Sequence, residues 1–243
     1  MRREMAESRD APADGRAGPR VGLLNEKPLH AALKLWYAEE GDQFEVPVDG
    51  FVADILRDGL VIEIQTGSAS RLKRKIAALL RRHKVRLVLP VASRKTIVRV
   101  ASDGMERSRR ASPRRATALD AFRELVSLGD LLGDPNLVVD VVLAHEEEVR
   151  VDSRHRKGFV VGERRLAAVD DCVSFDHPAD YLGILPSGIA EEFTTADLAR
   201  VMGQPRWMAQ KVAYVLRTIG VIRMVGKSGR AFVYRRSLTL EGP

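Results

Sequence analysis

The stretch of residues 51–66 limits the possible folds most, because it specifies a β-hairpin. Two apolar runs flank Asp58-Gly59, a dipeptide that favours the tight two-residue turn between antiparallel strands. A helical pattern follows from residue 68 or 70 to about residue 83, and the apolar run 85–91 has the composition of a buried strand. A strand, a helix and another strand in this order predict a crossover to a parallel neighbour, and therefore an α/β fold with a mixed sheet.

Acidic residues lie inside this hairpin, away from its turn. If Asp58-Gly59 forms the turn, Asp54 lies directly opposite Glu63, and Gln65 shares their face of the sheet. Two facing carboxylates repel each other by up to about 1 kcal/mol. A divalent cation between them would convert that repulsion into coordination, and hard oxygen ligands suit Mg²⁺ or Mn²⁺. The alternative is a plain hairpin whose acids face solvent.

Asp54, followed nine positions later by Glu63-Ile64-Gln65 in a hairpin that precedes a helix and a buried strand, resembles the PD-(D/E)xK nuclease superfamily. The resemblance implies a restriction-endonuclease-like mixed sheet flanked by helices over residues 21–144. It also implies that Asp54 and Glu63 bind Mg²⁺ or Mn²⁺, and that a metal-activated water attacks a phosphodiester. Glu26, at the start of the first helix (26–39), would be a third ligand, or would simply complement the helix dipole.

The residue at position 65 departs from the family pattern, which usually has lysine there. The resemblance extends to members that carry glutamine, and to others in which a lysine from the next helix substitutes. Lys73 and Lys75 border the apolar stripe of that helix, so either could reach inward. The candidate catalytic residues are Asp54, Glu63, Gln65 and Lys73.

Basic residues dominate two further regions. No acid occurs between residues 64 and 102, which contain eleven Lys and Arg. Arg71 and Arg74, on the outer face of the predicted helix, suit nucleic-acid phosphates, and a generic basic surface is the alternative. Residues 103–116 predict an Arg-rich loop that either orders against phosphates or is only solvated.

The C-terminal residues 191–243 predict a winged helix-turn-helix domain. Two helices separated by Gly203 precede two short strands. Residues 193–237 contain nine Lys and Arg against one acid, which favours DNA over the alternative of a protein partner. The candidate DNA-binding residues are Arg206, Gln210 and Arg217 for base edges, with Lys227 and Arg230 for phosphates.

The 243 residues carry a formal net charge of +7, which also indicates a polyanionic partner. The single cysteine, Cys172, rules out a disulfide within the chain and a cysteine-based zinc site. No signal peptide and no spanning segment of about 20 apolar residues is evident, so we expect a cytoplasmic protein with no membrane association. Residues 1–20 predict a disordered tail and residues 145–190 a connecting region.

Two functions fit these observations. The first is a metal-dependent DNA endonuclease, which is a hydrolase that the winged-helix domain targets to DNA. The second is a non-catalytic DNA-binding regulator with an inactive nuclease-like domain. A homodimer is compatible with either function.

Overall fold

The first elements along the chain contain the predicted hairpin. The computed structural model describes residues 27–153 and 158–237. The turn of the hairpin is Asp58-Gly59, with φ of 44° and 83°. This is the left-handed conformation that a two-residue type I′ turn requires. Ile55 lies opposite Ile62, which is the register expected from that turn. The elements are α1 (Pro28–Tyr37), β1 (Gln43–Val48), β2 (Phe51–Arg57) and β3 (Leu60–Ile64).

These three strands form one end of a seven-stranded mixed sheet with the order β1-β2-β3-β4-β6-β7. Strand β4 is parallel to β3 and to β6, β7 is antiparallel to β6, and β5 pairs with the far half of β4. Helix α2 (Lys73–Leu79) makes the crossover from β3 to β4. The predicted α/β class is therefore confirmed. The other strands are β4 (Lys84–Val100), β5 (Glu106–Ala111), β6 (Leu137–Asp152) and β7 (Phe159–Phe175).

Hydrophobic cores cover both faces of this sheet. On one face, Leu29 and Leu33 of α1 pack against Ile55 and Ile62. On the other face, α2 and the short helix α3 (Phe122–Leu125) pack against alternate residues of β3, β4 and β6. The second face carries the side chain of Glu63, since it alternates with the buried Ile62 and Ile64. The strand residues in this second core include Val61, Val85, Leu87, Leu89, Val91, Val139 and Val141.

The second half of the sheet differs from expectation. The buried strand predicted at residues 85–91 continues to Val100 in β4, and the loop predicted at residues 103–116 contains β5. Residues 145–190, predicted as a connecting region, contain the end of β6 and all of β7, so the boundary predicted at residue 144 falls inside a strand. Residues 118–133 form only the short helix α3 between two 3₁₀ turns.

The outer half of β6 was missed because its buried side chains are charged. Glu146 is 1% exposed and Glu148 is 7% exposed. Arg164 pairs with Glu146, and Lys95 pairs with Glu148, both from other strands. Ion pairs between residues so distant along the chain leave no alternation of apolar residues for a sequence pattern to reveal.

The C-terminal elements follow the predicted winged-helix order. Strands β8, β10 and β9 form a three-stranded sheet beside two helices. The Thr194 hydroxyl accepts the Asp197 backbone N–H, and the Asp197 carboxylate accepts the Thr194 N–H, so a capping box starts the first helix. Gly203, with φ of 61°, ends it. The elements are β8 (Glu192–Thr194), α4 (Thr195–Met202), α5 (Arg206–Thr218), β9 (Ile222–Ser228) and β10 (Ala231–Arg236).

The C-terminal elements share a core with the large sheet. Buried residues of α5, such as Val212 and Leu216, belong to the same apolar cluster as Phe122 and Leu125 of α3. The Arg123 guanidinium also stacks on the Trp207 ring, 4.6 Å from its centre. The winged helix is therefore packed against the large domain rather than tethered by a free linker.

Two sequence-based expectations, the disordered tail at residues 1–20 and the metal ligand Glu26, lie outside the described residues. Within the described part of the chain, no helix has the length and apolar character needed to cross a bilayer.

Candidate active site and nucleic-acid interface

Asp54 and Glu63 lie on neighbouring strands, close enough for the charge of Asp54 to raise the pKa of Glu63. The β2–β3 ladder extends from the turn to the pair of Ile55 with Ile62, one position short of the two acids. At this point the ladder is irregular, because Asp54 Oδ2 accepts the backbone N–H of Ile64 at 2.7 Å. Glu45 on the other side of Asp54 has φ of 53° and does not pair. Asp54 thus occupies a local distortion that directs its carboxylate toward β3.

The Asp54 carboxylate is held ionised by two donors. Burial by itself raises its pKa, but hydrogen bonds from His30 and from the Ile64 N–H outweigh burial and lower the pKa below its ordinary value. His30 Nε2 lies 3.2 Å from Asp54 Oδ2. His30 was missed by the sequence analysis. Within the helix predicted over residues 26–39, His30 follows Leu29 of the apolar stripe, and this position was the available signal.

The Glu63 carboxylate is in the opposite situation. Its side chain is only 2% exposed, and Oε1 is buried without a hydrogen-bond partner among the described residues. Burial, and then the charge of Asp54, raise the pKa of Glu63 to about 7 against the opposing effects of Lys75 and of the Asp54 backbone N–H. Near neutral pH this group therefore gains or loses a proton readily, unlike an ordinary surface glutamate.

The lysine that reaches the acids is Lys75. Its Nζ donates to Glu63 Oε2 at 2.5 Å and to the Val52 carbonyl oxygen at 2.6 Å. Lys73, the predicted catalytic lysine, instead lies beside Gly129, with Nζ 3.5 Å from where a β-carbon on Gly129 would stand. The expectation for Lys73 is thus corrected, because helix α2 docks on the sheet with position 75 facing inward.

Gln65 does not join the acid pair. Its Nε2 donates to the Ser68 carbonyl oxygen at 2.9 Å, so the amide holds the loop that leaves β3. Arg71, in the 3₁₀ turn before α2, and Arg74, on α2, are both exposed, as expected. In the described part of the chain neither arginine forms an ion pair, which leaves both charges available for an anionic partner.

Asp54 and Glu63 offer part of a site for a hard divalent cation. Glu63 Oε1, which has no partner in the described part of the chain, and the ionised Asp54 are hard oxygen ligands of the kind that Mg²⁺ and Mn²⁺ prefer. Among residues 27–153 and 158–237, no cluster of three or more His, Cys, Asp or Glu has the geometry to hold a metal. The residues present therefore fit a cation bound by two carboxylates, with water and substrate oxygens as the remaining ligands.

The predicted DNA-binding residues of the winged helix converge on one concave surface. A depression of about 480 Å³ between α5 and the β9–β10 wing is lined by Arg206, Gln210, Arg217 and Arg230. Tyr214 in the same wall is 43% exposed, and Phe232 on the wing is 45% exposed. Lys227 lies over the Phe232 ring at 5.3 Å from its centre. Cations, one amide and exposed rings together suit a nucleic-acid surface.

Comparison with known proteins identifies the family of this chain. An uncharacterized protein of Treponema pallidum (strain Nichols) is 32% identical over 225 residues, which are 89% of this chain and 87% of that protein. No solved structure is similar. Residues 27–176 match a domain of unknown function, DUF8091, and this range includes every strand of the large sheet. The chain therefore belongs to the DUF8091 family.

Proposed function

We propose that this protein is a metal-dependent DNA endonuclease of the cytoplasm, which hydrolyses phosphodiesters and holds DNA with its winged helix. The observation that carries the proposal is the pairing of Asp54 with a buried Glu63 whose Oε1 has no described partner, beside the inward-facing Lys75. A buried carboxylate with an unused oxygen is costly unless a ligand satisfies it. A divalent cation is the ligand that suits such an oxygen.

Asp54 and Lys75 have separate tasks in this mechanism. A cation held by Asp54 and Glu63 would supply the activated water and would neutralise charge on the phosphate. Asp54 stays ionised because His30 and the Ile64 N–H stabilise its charge. Two of the three Lys75 donors are engaged by Glu63 and the Val52 carbonyl, which leaves one donor for a phosphate oxygen. Lys75 thereby takes the role that Gln65 lacks the charge to fill.

The decisive experiment is cleavage of DNA by variants that keep side-chain shape. We expect the wild-type protein to cleave some form of DNA with Mg²⁺ or Mn²⁺, and Asp54→Asn and Glu63→Gln to abolish cleavage while the thermal unfolding transition stays cooperative. Glu40→Gln is the matched control, since Glu40 is an exposed carboxylate outside the site. The proposal would be refuted if Asp54→Asn and Glu63→Gln cleave DNA as fast as the control Glu40→Gln does.

A second candidate is a DNA-binding regulator without catalysis. The absence of a three-residue metal cluster in the described ranges and the engagement of Gln65 by Ser68 favour it. Under this alternative the wild-type protein binds DNA through the α5 and wing surface but cleaves no duplex, single-stranded or branched substrate with either metal. Binding that persists without cleavage would select the regulator.

A further inference from the structure

A deep, basic cavity lies immediately beyond the acid pair and is separate from the winged-helix surface. Its volume is about 520 Å³, within the range of small-molecule sites. Strand β3 ends at its mouth, and α3 forms its opposite wall. We call it the arginine pocket, defined by its five cationic lining residues Lys95, Arg114, Arg123, Arg150 and Arg164.

Sheet geometry places this pocket on the same face as Glu63. Glu63 pairs with Leu87 in the parallel β3–β4 ladder. The pocket begins at Gln65 and Leu89, two positions further along each strand. Side chains two positions apart share a face and are separated by about 6–7 Å along the strand. A nucleic-acid strand with a phosphate at Glu63 therefore has its next unit at the pocket mouth.

The arginines of the pocket have more donors than the protein satisfies. Arg114 and Arg123 approach Asp120 only at 3.5 Å and 3.4 Å, longer than the 2.7–2.9 Å or so of a charge-assisted hydrogen bond. The Arg164–Glu146 contact is also long, at 3.5 Å, and Arg164 donates one further N–H group to the Thr66 carbonyl oxygen. Lys95 and Arg150 pair more closely, both with Glu148 at 2.6 Å. Each guanidinium has five N–H groups, so these side chains retain capacity for a phosphate.

The rest of the lining suits a nucleobase. Leu89, Val91 and Ala121 provide apolar contact, while Asp120 and Glu124 provide carboxylate acceptors for the amino groups of a base edge. Glu124 is held in place, because its Oε2 accepts the Ala69 backbone N–H at 2.9 Å. A pocket with both cations and acceptors fits a nucleotide better than a bare phosphate ion.

We propose that the arginine pocket binds one unpaired nucleotide of the strand whose phosphodiester lies at Asp54 and Glu63. The inference rests on the proposed nuclease function for the position of the strand, and it names the substrate class as single-stranded or locally unpaired DNA. A continuous duplex keeps its bases stacked inside, so a base reaches such a pocket only after it leaves the stack.

The test measures binding in the presence of a chelator, so that no cleavage is needed. Fluorescence anisotropy measures the affinity of the full-length protein for a labelled single-stranded oligonucleotide and for a fully paired duplex of the same sequence. Free dAMP is then added as a competitor. Arg114→Gln is the first variant, because the Arg114 side chain is 66% exposed and its loss leaves the core intact. Arg123→Gln is the second, and because Arg123 also stacks on Trp207 of α5, its thermal unfolding is compared with that of Arg114→Gln to check that the winged helix stays docked. Arg110→Gln, on the exposed strand β5 outside the pocket, is the matched control.

We expect each pocket variant to bind the single strand about tenfold or more weakly, as for the loss of one charged hydrogen bond, with duplex affinity unchanged. Arg110→Gln should weaken both DNA forms slightly and equally. Excess dAMP should displace the single strand from the wild-type pocket. The inference is overturned if the pocket variants weaken both forms by one common factor, or if dAMP competes equally well in the wild type and in the pocket variants.

Failure of the pocket and failure of the nuclease give different results. If the pocket variants bind and cleave every DNA form normally, the pocket assignment is wrong and the nuclease stands. If the single strand binds through Arg114 and Arg123 but no DNA is cleaved with Mg²⁺ or Mn²⁺, the nuclease is wrong and the pocket stands.

Discussion

Replacing Glu63 by glutamine should stabilise the metal-free protein at alkaline pH. Glu63 has a pKa of about 7 in the folded chain against an ordinary value of 4.5. Because the folded pKa is raised, the stability of the protonated form is fully present below pH 4.5 and is lost as pH rises to about 7. At about 1.4 kcal/mol per pH unit, this difference costs the wild-type protein about 3 kcal/mol above pH 7.

Glutamine resembles the protonated glutamate in shape and charge, so Glu63→Gln avoids that cost. We expect its melting temperature at pH 8 with a chelator to exceed that of wild type by about 6–12 °C, since 1 kcal/mol corresponds to about 2–4 °C for a chain of this size. The gain should shrink as pH falls and vanish near pH 4.5, the ordinary value for glutamate. Calorimetry between pH 4 and pH 9 measures the whole curve.

Asp54→Asn provides a control of opposite sign. Hydrogen bonds lower the pKa of Asp54 despite its burial, so its ionised form stabilises the fold at neutral pH and that stability is lost as pH falls below the ordinary value of 3.8. This variant should melt below wild type at pH 7. If Glu63→Gln melts at or below wild type at pH 8, or if its gain does not grow with pH, Glu63 is not a strained buried acid and the reasoning fails.

Three further outcomes follow from the site and the C-terminal domain. Lys75→Ala should abolish DNA cleavage whereas Lys73→Ala retains it, because only Lys75 contacts Glu63; parallel cleavage assays compare them. Arg206→Ala, in the surface between α5 and the wing, should weaken DNA binding by about 1–3 kcal/mol, measured by anisotropy at fixed salt. Thr194→Ala removes the capping box of α4 and should lower the free energy of unfolding by about 1 kcal/mol in urea titration.

The sequence was most informative where turn chemistry acts over a few residues. Asp58-Gly59 determines the hairpin register, and that register places Asp54 beside Glu63. The choice between Lys73 and Lys75 was not available from sequence, since both border the apolar stripe of α2. Only the rotation of the helix on the sheet brings Lys75 to the acids, and packing with residues far along the chain sets that rotation.

The sequence did not reveal the arginine pocket, because packing between residues far apart along the chain forms it as well. Its cations come from β4, β6, β7, the segment before α3 and α3 itself, and no local pattern connects them. The basic clusters that the sequence showed as runs of charge differ in how well their predicted structure agrees with the observed one. Arg71 and Arg74 are exposed as expected, whereas the predicted loop around Arg109 is strand β5, in which Arg109 pairs with Glu106 at 3.1 Å.

The energetic cost of Glu63 argues for a role beyond folding. A buried ion pair such as Glu63–Lys75 usually adds no stability over apolar side chains of similar volume, and here burial leaves one carboxylate oxygen without a described partner. Position 63 lies between the buried Ile62 and Ile64, on the face that elsewhere carries Val61 and Leu87. An apolar residue would continue that core at no electrostatic cost. A fold that instead keeps an acid there sacrifices stability, which is the pattern of a functional site. Under the proposed function, a cation bound at this acid would return part of that stability.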